Sequence, residues 1–234
     1  MIRKLETRAL AGLLCAAAAA WAFLAIGGEM GEGETLALDR RILLALRTPG
    51  DLAQPLGSRG FQEAMRDVTA LGGFTVLTLV TVVAAMAFVL HRRARHAAVL
   101  VVTALAAEFA SERLKGLYGR PRPELAPHGA YVYSASFPSG HSMIAAAVYL
   151  TLAMLIANLE TRTATKTLAF ATAVAIMLAV GVSRIYLAVH WPSDVLAGWC
   201  AGAGVALVAW TALTRAASRK AEDMGVLTPG KGLP

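Results

Sequence analysis

Three short stretches of the chain carry residues whose types and spacing suit work on an anion. Lys115 and Arg122-Pro123 frame six intervening residues. Pro138-Ser139-Gly140-His141 stand together. Ser183-Arg184 is followed after five residues by His190 and, three residues further on, by Asp194. Taken singly, each has an ordinary structural reading. Lys115 and Arg122 are flanking charges beside an apolar segment, Pro-Ser-Gly is a helix start, Arg184 is a snorkelling interfacial anchor, and His190 with Asp194 is a hydrogen-bonded pair. Together they supply three fixed cations, two histidines, one carboxylate and a helix start whose free N–H groups and positive dipole end attract anions. Converging cations repel one another unless an anion lies between them, and a phosphate meets that need. His141 and His190 have no third ligand at a familiar metal-site spacing, and three nearby cations oppose a divalent ion, so neither a metal nor another cofactor is expected.

Apolar segments must position these groups, and six can be marked: residues 10–26, 71–90, 97–109, 142–159, 168–182 and 195–213. A membrane helix needs about 17–25 residues. The third segment is short and is expected to extend to Lys115. The reading is all-α: one domain over residues 1–234, a six-transmembrane helix bundle with an interfacial helical segment between spans one and two. Alternating spans put all three polar stretches on one side. The basic groups Arg3, Lys4 and Arg8, Arg92, Arg93 and Arg95, Arg162 and Lys166, and Arg215, Arg219 and Lys220 fall on the other. That side is the cytoplasm by the density of its basic residues, although Arg40, Arg41, Arg47, Arg59 and Arg66 follow span one. The tail, 215–234, is then cytoplasmic and the site extracytoplasmic.

In the segment 28–70, Leu36, Asp39, Ile42, Leu43 and Leu46 suggest a short helix lying with one apolar face on the membrane surface. Thr48-Pro49-Gly50-Asp51 reads as a turn. The first apolar segment has the basic start and alanine-rich run of a signal peptide, but no clear cleavage site precedes Gly27-Gly28, so it is read as a retained span.

Composition agrees with a membrane protein: 57% of residues are hydrophobic and only 16% charged, against about a quarter charged in soluble domains. The net charge of +7 comes mainly from residues beside apolar runs. With no nucleic-acid-binding signature, no nucleic acid partner is expected. Cys15 and Cys200 lie in apolar runs and are read as buried thiols, not a disulfide. His91 and His96 are read as solvated, and His128 as an outer-loop residue without a role.

With these residues in place, the chain resembles the type 2 phosphatidic acid phosphatase superfamily of lipid phosphate phosphatases, which also includes glucose-6-phosphatase and the vanadium haloperoxidases. Its three-part signature, Lys-x6-Arg-Pro, Pro-Ser-Gly-His and Ser-Arg-x5-His-x3-Asp, is matched at every position over about residues 70–215. The resemblance implies that His190 attacks phosphorus to give a phosphohistidine, that Asp194 orients its ring, and that His141 protonates the leaving oxygen. It also implies that Lys115, Arg122, Ser139, Gly140 and Arg184 bind the phosphoryl oxygens. The implied substrate is a membrane lipid: undecaprenyl pyrophosphate, phosphatidylglycerol phosphate, phosphatidic acid or a lipid A phosphate. The implied place is the inner membrane of a bacterium, with the site facing the periplasm. Phosphotransfer to another lipid, vanadium-dependent chemistry, and lipid transport or binding are the rival readings. The sequence does not fix an oligomeric state.

Overall fold

A computed structural model describes residues 2–124 and 134–223. Its elements run α1 (Ile2–Glu32), α2 (Leu36–Ala45), β1 (Arg47–Thr48), β2 (Asp51–Pro55), α3 (Arg59–Ala70), α4 (Phe74–Leu90), α5 (Ala94–Tyr118), α6 (Gly140–Leu159), α7 (Thr163–Tyr186) and α8 (Pro192–Asp223). The long helices follow the apolar segments, and α5, α7 and α8 overrun theirs into the first and third polar stretches.

Helix α6 is the axis of the packing. Ala145, Ala146, Ala147 and Val148 are consecutive and all fully buried, as in a helix that is apolar on every side. It joins a core with Leu100 of α5, Val180 of α7 and Leu77 of α4. Helix α8 approaches α6 closely enough to need glycine: a Cβ on Gly202 would lie 2.1 Å from the Met143 carbonyl oxygen, and one on Gly198 would lie 2.8 Å from that of Ser139. Small residues that let backbones meet are the usual device of membrane helix pairs. Helix α1 packs along α8. Trp21, Leu24, Leu79, Leu105 and Leu168 point outward and are exposed, as lipid-facing side chains must be.

Among the described residues, four helices are long and apolar enough to cross a membrane: Ala9–Glu32 of α1, α6, α7 and Pro192–Arg215 of α8. The pair α3 and α4, bent by 48° at its break, adds a fifth. Helix α5 is 25 residues long and carries Glu108, Glu112 and Arg113 in its second half.

Several expectations are corrected. The chain is not purely helical: β1 and β2 form a small antiparallel hairpin around the expected turn, where Gly50 takes φ +88°. The segment 28–70 does not simply lie on a surface. Leu43 and Asp39 of α2 are buried, Phe61 of α3 stacks edge-on against Tyr186 at 5.3 Å, and buried Arg47 donates to the Tyr186 carbonyl. It thus covers the end of α7. His96 is not solvated: it is buried, with Nε2 3.2 Å from Asn158 Oδ1 and its ring against Phe88. It sits on the first turn of α5, where that helix meets the end of α6. Cys15 is exposed and Cys200 half-buried, and both are free thiols; the outer face of α1 is apolar without being covered. His128 lies outside the described residues.

Candidate active site

The site forms where the C-termini of α5 and α7 meet the N-termini of α6 and α8. Gly119, at φ +58°, ends α5 with its N–H on the Lys115 carbonyl at 3.0 Å, a left-handed cap that glycine adopts without strain. The chain then turns through Arg120 and Arg122. The loop ahead of α6 is tied to this turn by the Ser136 N–H on the Arg120 carbonyl at 2.8 Å, and to α8 by the Ser139 N–H on the Asp194 carbonyl at 3.0 Å. Phe137 is fully buried against Phe23 and Tyr118, which pins the loop to α1 and α5.

A cavity of about 390 Å³ opens here. Of the residues expected at the site, Lys115, Arg122, Gly140, His141, Arg184 and His190 line it. Asp194 lies behind His190, fully buried. Ser139 stands apart: it is fully buried and not on the cavity wall, and its hydroxyl accepts from Ser142 Oγ at 2.9 Å. No side chain caps the first turn of α6, so its N–H groups keep their capacity for an anion.

The protonation of His190 follows from its partners. Nδ1 lies 2.9 Å from the Ser136 carbonyl oxygen and 3.5 Å from Asp194 Oδ2. A carbonyl only accepts, so Nδ1 carries the hydrogen. Nε2 lies 3.2 Å from Arg122 Nη1, which only donates, so Nε2 presents its lone pair to that group. Burial pushes the His190 pKa down to about 4. Asp194 beside the ring pulls the other way, and the charges of Arg184 and Arg122 add to the lowering. The ring is therefore neutral at pH 7, with its basic nitrogen beside Arg122, and both residues line the cavity.

The three cations are held unequally, Arg122 by the most groups. Arg122 donates to the Ser134 carbonyl at 3.0 Å and the Val189 carbonyl at 2.6 Å; burial lowers its pKa, with Asp194 opposing, and it stays protonated. Arg184 donates to Thr69 Oγ1 of α3 at 3.2 Å, while its Nε is buried with no partner. Lys115 pairs with Glu112 at 2.7 Å in a half-exposed contact of the kind worth little. A buried donor left unpaired costs about 1–3 kcal/mol, so a bound anion that reaches Arg184 recovers that cost. Among the described residues, no three His, Cys, Asp or Glu side chains converge as metal ligands.

Other residues take part that the sequence did not single out. Asp194 accepts from Ser136 Oγ, from the Trp191 N–H at 2.9 Å and from Arg120 Nη1 at 2.6 Å. Arg120 in turn donates to Asp39 of α2 at 2.8 Å. The only hint in the sequence was a carboxylate on the same helical face as Leu36 and Leu43.

A sequence model of the PAP2 superfamily matches residues 96–217. Phosphatidylglycerophosphatase B of Bacillus subtilis (strain 168) is 33% identical over 141 residues, which span 60% of this chain and 69% of that protein. The crystal structure of a transmembrane PAP2-type phosphatidylglycerolphosphate phosphatase from Bacillus subtilis superposes with a TM-score of 0.73 at 27% identity, covering 88% of this chain and 96% of the other. That of Aquifex aeolicus LpxE gives a TM-score of 0.53 at 21% identity over 74% and 93%, which is a likeness of fold alone. The residues matched by the family model hold all but the first two residues of α5, all of α6 and α7 and most of α8, and with them every group on the cavity wall discussed above; on that footing the chain belongs to the PAP2 superfamily and is a multi-pass membrane protein.

Proposed function

We propose that this protein is a metal-independent lipid phosphatase that works through a phosphohistidine on His190. The observation that carries the reading is the His190 ring: neutral, hydrogen on Nδ1, lone pair on Nε2 beside Arg122, at the wall of a cavity that Lys115, Arg122 and Arg184 also line. Nε2 attacks phosphorus as the bond to the leaving oxygen breaks, and His141, protonated in the substrate complex, gives that oxygen its proton and becomes neutral. The ring then carries the phosphoryl group and a positive charge, which the Ser136 carbonyl and Asp194 stabilise through Nδ1–H. Water, losing its proton to His141, attacks the phosphohistidine and releases inorganic phosphate. Charge on the transferring oxygens is met by the three cations and by the Gly140 N–H.

The favoured substrate is a lipid with a terminal phosphate. Phosphatidylglycerol phosphate is supported by the name of the Bacillus subtilis relative, with undecaprenyl pyrophosphate and phosphatidic acid as the other candidates. In this reading the whole chain is one unit of six spans, in which α5 is the third and α1 is retained. Residues 28–70 and the site face the periplasm of a bacterial inner membrane, and residues 215–234 face the cytoplasm. The test is phosphate release by purified protein in detergent with EDTA present, from each of those lipids and from a soluble phosphomonoester. Release from a lipid that disappears in His190→Ala is expected; release that survives in His190→Ala, or needs added magnesium, would contradict the mechanism. Transfer of the label to a second lipid instead of water would replace hydrolysis by phosphotransfer.

A further inference from the structure

The catalytic ring and its carboxylate do not end the polar chain. Asp194 Oδ1 accepts from Arg120 Nη1 at 2.6 Å, and Arg120 Nη2 donates to Asp39 Oδ2 at 2.8 Å. Ser193 closes the loop: its N–H donates to Asp39 Oδ1 at 2.8 Å, and its hydroxyl accepts from Arg120 Nη1 at 2.7 Å. The Arg120 guanidinium also lies over the Trp191 ring, 5.3 Å from its centroid. Asp39, Arg120, Ser193 and Asp194 are all buried. None of Asp39, Arg120 and Ser193 lines the cavity, so none is placed to touch substrate.

A buried ionic cluster of this kind seldom adds much net stability, since desolvation opposes the Coulomb gain. Its position suggests another use. A guanidinium bonded to Asp194 alone would neutralise the carboxylate just where His190 has to become cationic. Asp39 lies on the far side of that guanidinium and offsets it. The trio Asp39, Arg120 and Asp194 then carries a net charge of one negative unit, which the phosphorylated ring balances.

We propose that Asp39, outside the three-part signature, and Arg120, at one of the six unspecified positions of its first part, are positioning residues for the nucleophile: Arg120 fixes the Asp194 carboxylate, and Asp39 holds Arg120 and offsets its charge so that Asp194 still acts on His190 as an anion. This rests on the phosphatase reading above. It makes the short helix α2, from the segment between the first two apolar stretches, a structural part of the catalytic unit.

The test is a double-mutant cycle on kcat and KM with dioctanoyl phosphatidic acid in detergent micelles. The proteins are wild type, Asp39→Asn, Asp194→Asn and the double variant, with His190→Ala alongside and folding checked by thermal melting and size exclusion. Asp39→Asn keeps the shape, removes the charge and turns one of the two accepting oxygens into a donor. Its kcat is expected to fall by about 10–100-fold, the loss typical of outer-shell partners that orient metal-ligating histidines, with KM nearly unchanged. In the Asp194→Asn background the same change is expected to cost no more than about twofold, since residues acting through one another are not additive. A kcat within about twofold of wild type, an equal loss in both backgrounds, or a loss confined to KM would overturn the proposal. Should Asp39→Asn not fold, Ser193→Ala takes its place, because it removes the bridging hydroxyl and keeps every charge. A loss in kcat that vanishes beside Asp194→Asn supports the proposal, and no loss or an additive one overturns it. Inactive wild type, or active His190→Ala, marks failure of the phosphatase reading itself.

Discussion

Gly140→Ala separates the site's chemistry from its stability. Gly140 opens α6 and lines the cavity between Lys115 and His141. A Cβ there would lie 3.0 Å from Ser111 Oγ, 3.3 Å from Lys115 Nζ and 3.6 Å from Lys115 Cε. The atoms it crowds are a hydroxyl rotor and the far end of a flexible side chain, which give way by a few tenths of an ångström, so the fold is retained. Replacing glycine by alanine in a helix is worth up to about 1 kcal/mol in the favourable direction, so the melting temperature should hold or rise. In the proposed mechanism the methyl group, however, stands where a phosphoryl oxygen approaches the backbone N–H, and it shifts the ammonium of Lys115. Removing one such donor to a transition state costs about 2.7–4 kcal/mol, or roughly 10²–10³ in rate. The assay is kcat/KM for phosphate release from dioctanoyl phosphatidic acid, with a thermal melt of the same sample. Wild-type turnover within about threefold in a stable Gly140→Ala protein would show that phosphate does not bind against the start of α6.

Three further outcomes are expected. A ring-15N NMR titration of labelled histidine, with His190 assigned through His190→Gln, should show no protonation of His190 between pH 8 and 5, because burial holds its pKa near 4; titration near the ordinary value of about 6.5 would refute this. Since the folded-state pKa lies below the unfolded one, the stability linked to neutral His190 is fully present above about pH 6.5 and is lost as pH falls from there toward 4, which acid unfolding curves of wild type and His190→Gln should separate. Vanadate, a phosphate mimic able to bond to Nε2, should inhibit competitively, and a noncompetitive pattern would place it elsewhere. Gly202→Ala should lower stability by about 1–3 kcal/mol through overpacking, because its Cβ would sit 2.1 Å from the Met143 carbonyl oxygen; an unchanged melting temperature in detergent would count against the tight α6–α8 contact.

The cavity wall was legible in the sequence because its residues recur in fixed local spacings at the ends of apolar runs, and alternating helices carry such ends to one side. Lys115, Arg122, Gly140, His141, Arg184 and His190 all reach the cavity. What supports them was not legible. Asp39 is 81 positions from Arg120, and a contact over that distance leaves no periodicity to read. Ser136 meets His190 through its backbone carbonyl, which any residue offers, and its hydroxyl reaches Asp194 over 58 positions. Ser139 reads locally as a phosphate donor, yet the packing of the loop against α8 turns it inward, and only the neighbouring Gly140 and His141 face the cavity. The hairpin escaped notice because strands of two and five residues are too short to show alternation. His96 was misread because α5 begins before its apolar stretch does, which brings the ring under Phe88 and beside Asn158.

The central claim is that His190 becomes covalently phosphorylated. The most direct measurement is a rapid alkaline quench of purified enzyme turning over a lipid labelled in its terminal phosphate, followed by mass mapping of the modified peptide. Label on His190 that resists alkali, is released by acid, and is absent from His190→Ala and from Arg184→Ala trapped in parallel is the expected result. Steady phosphate release with no label on His190 at any quench time would contradict a histidine nucleophile and leave direct attack by water in its place.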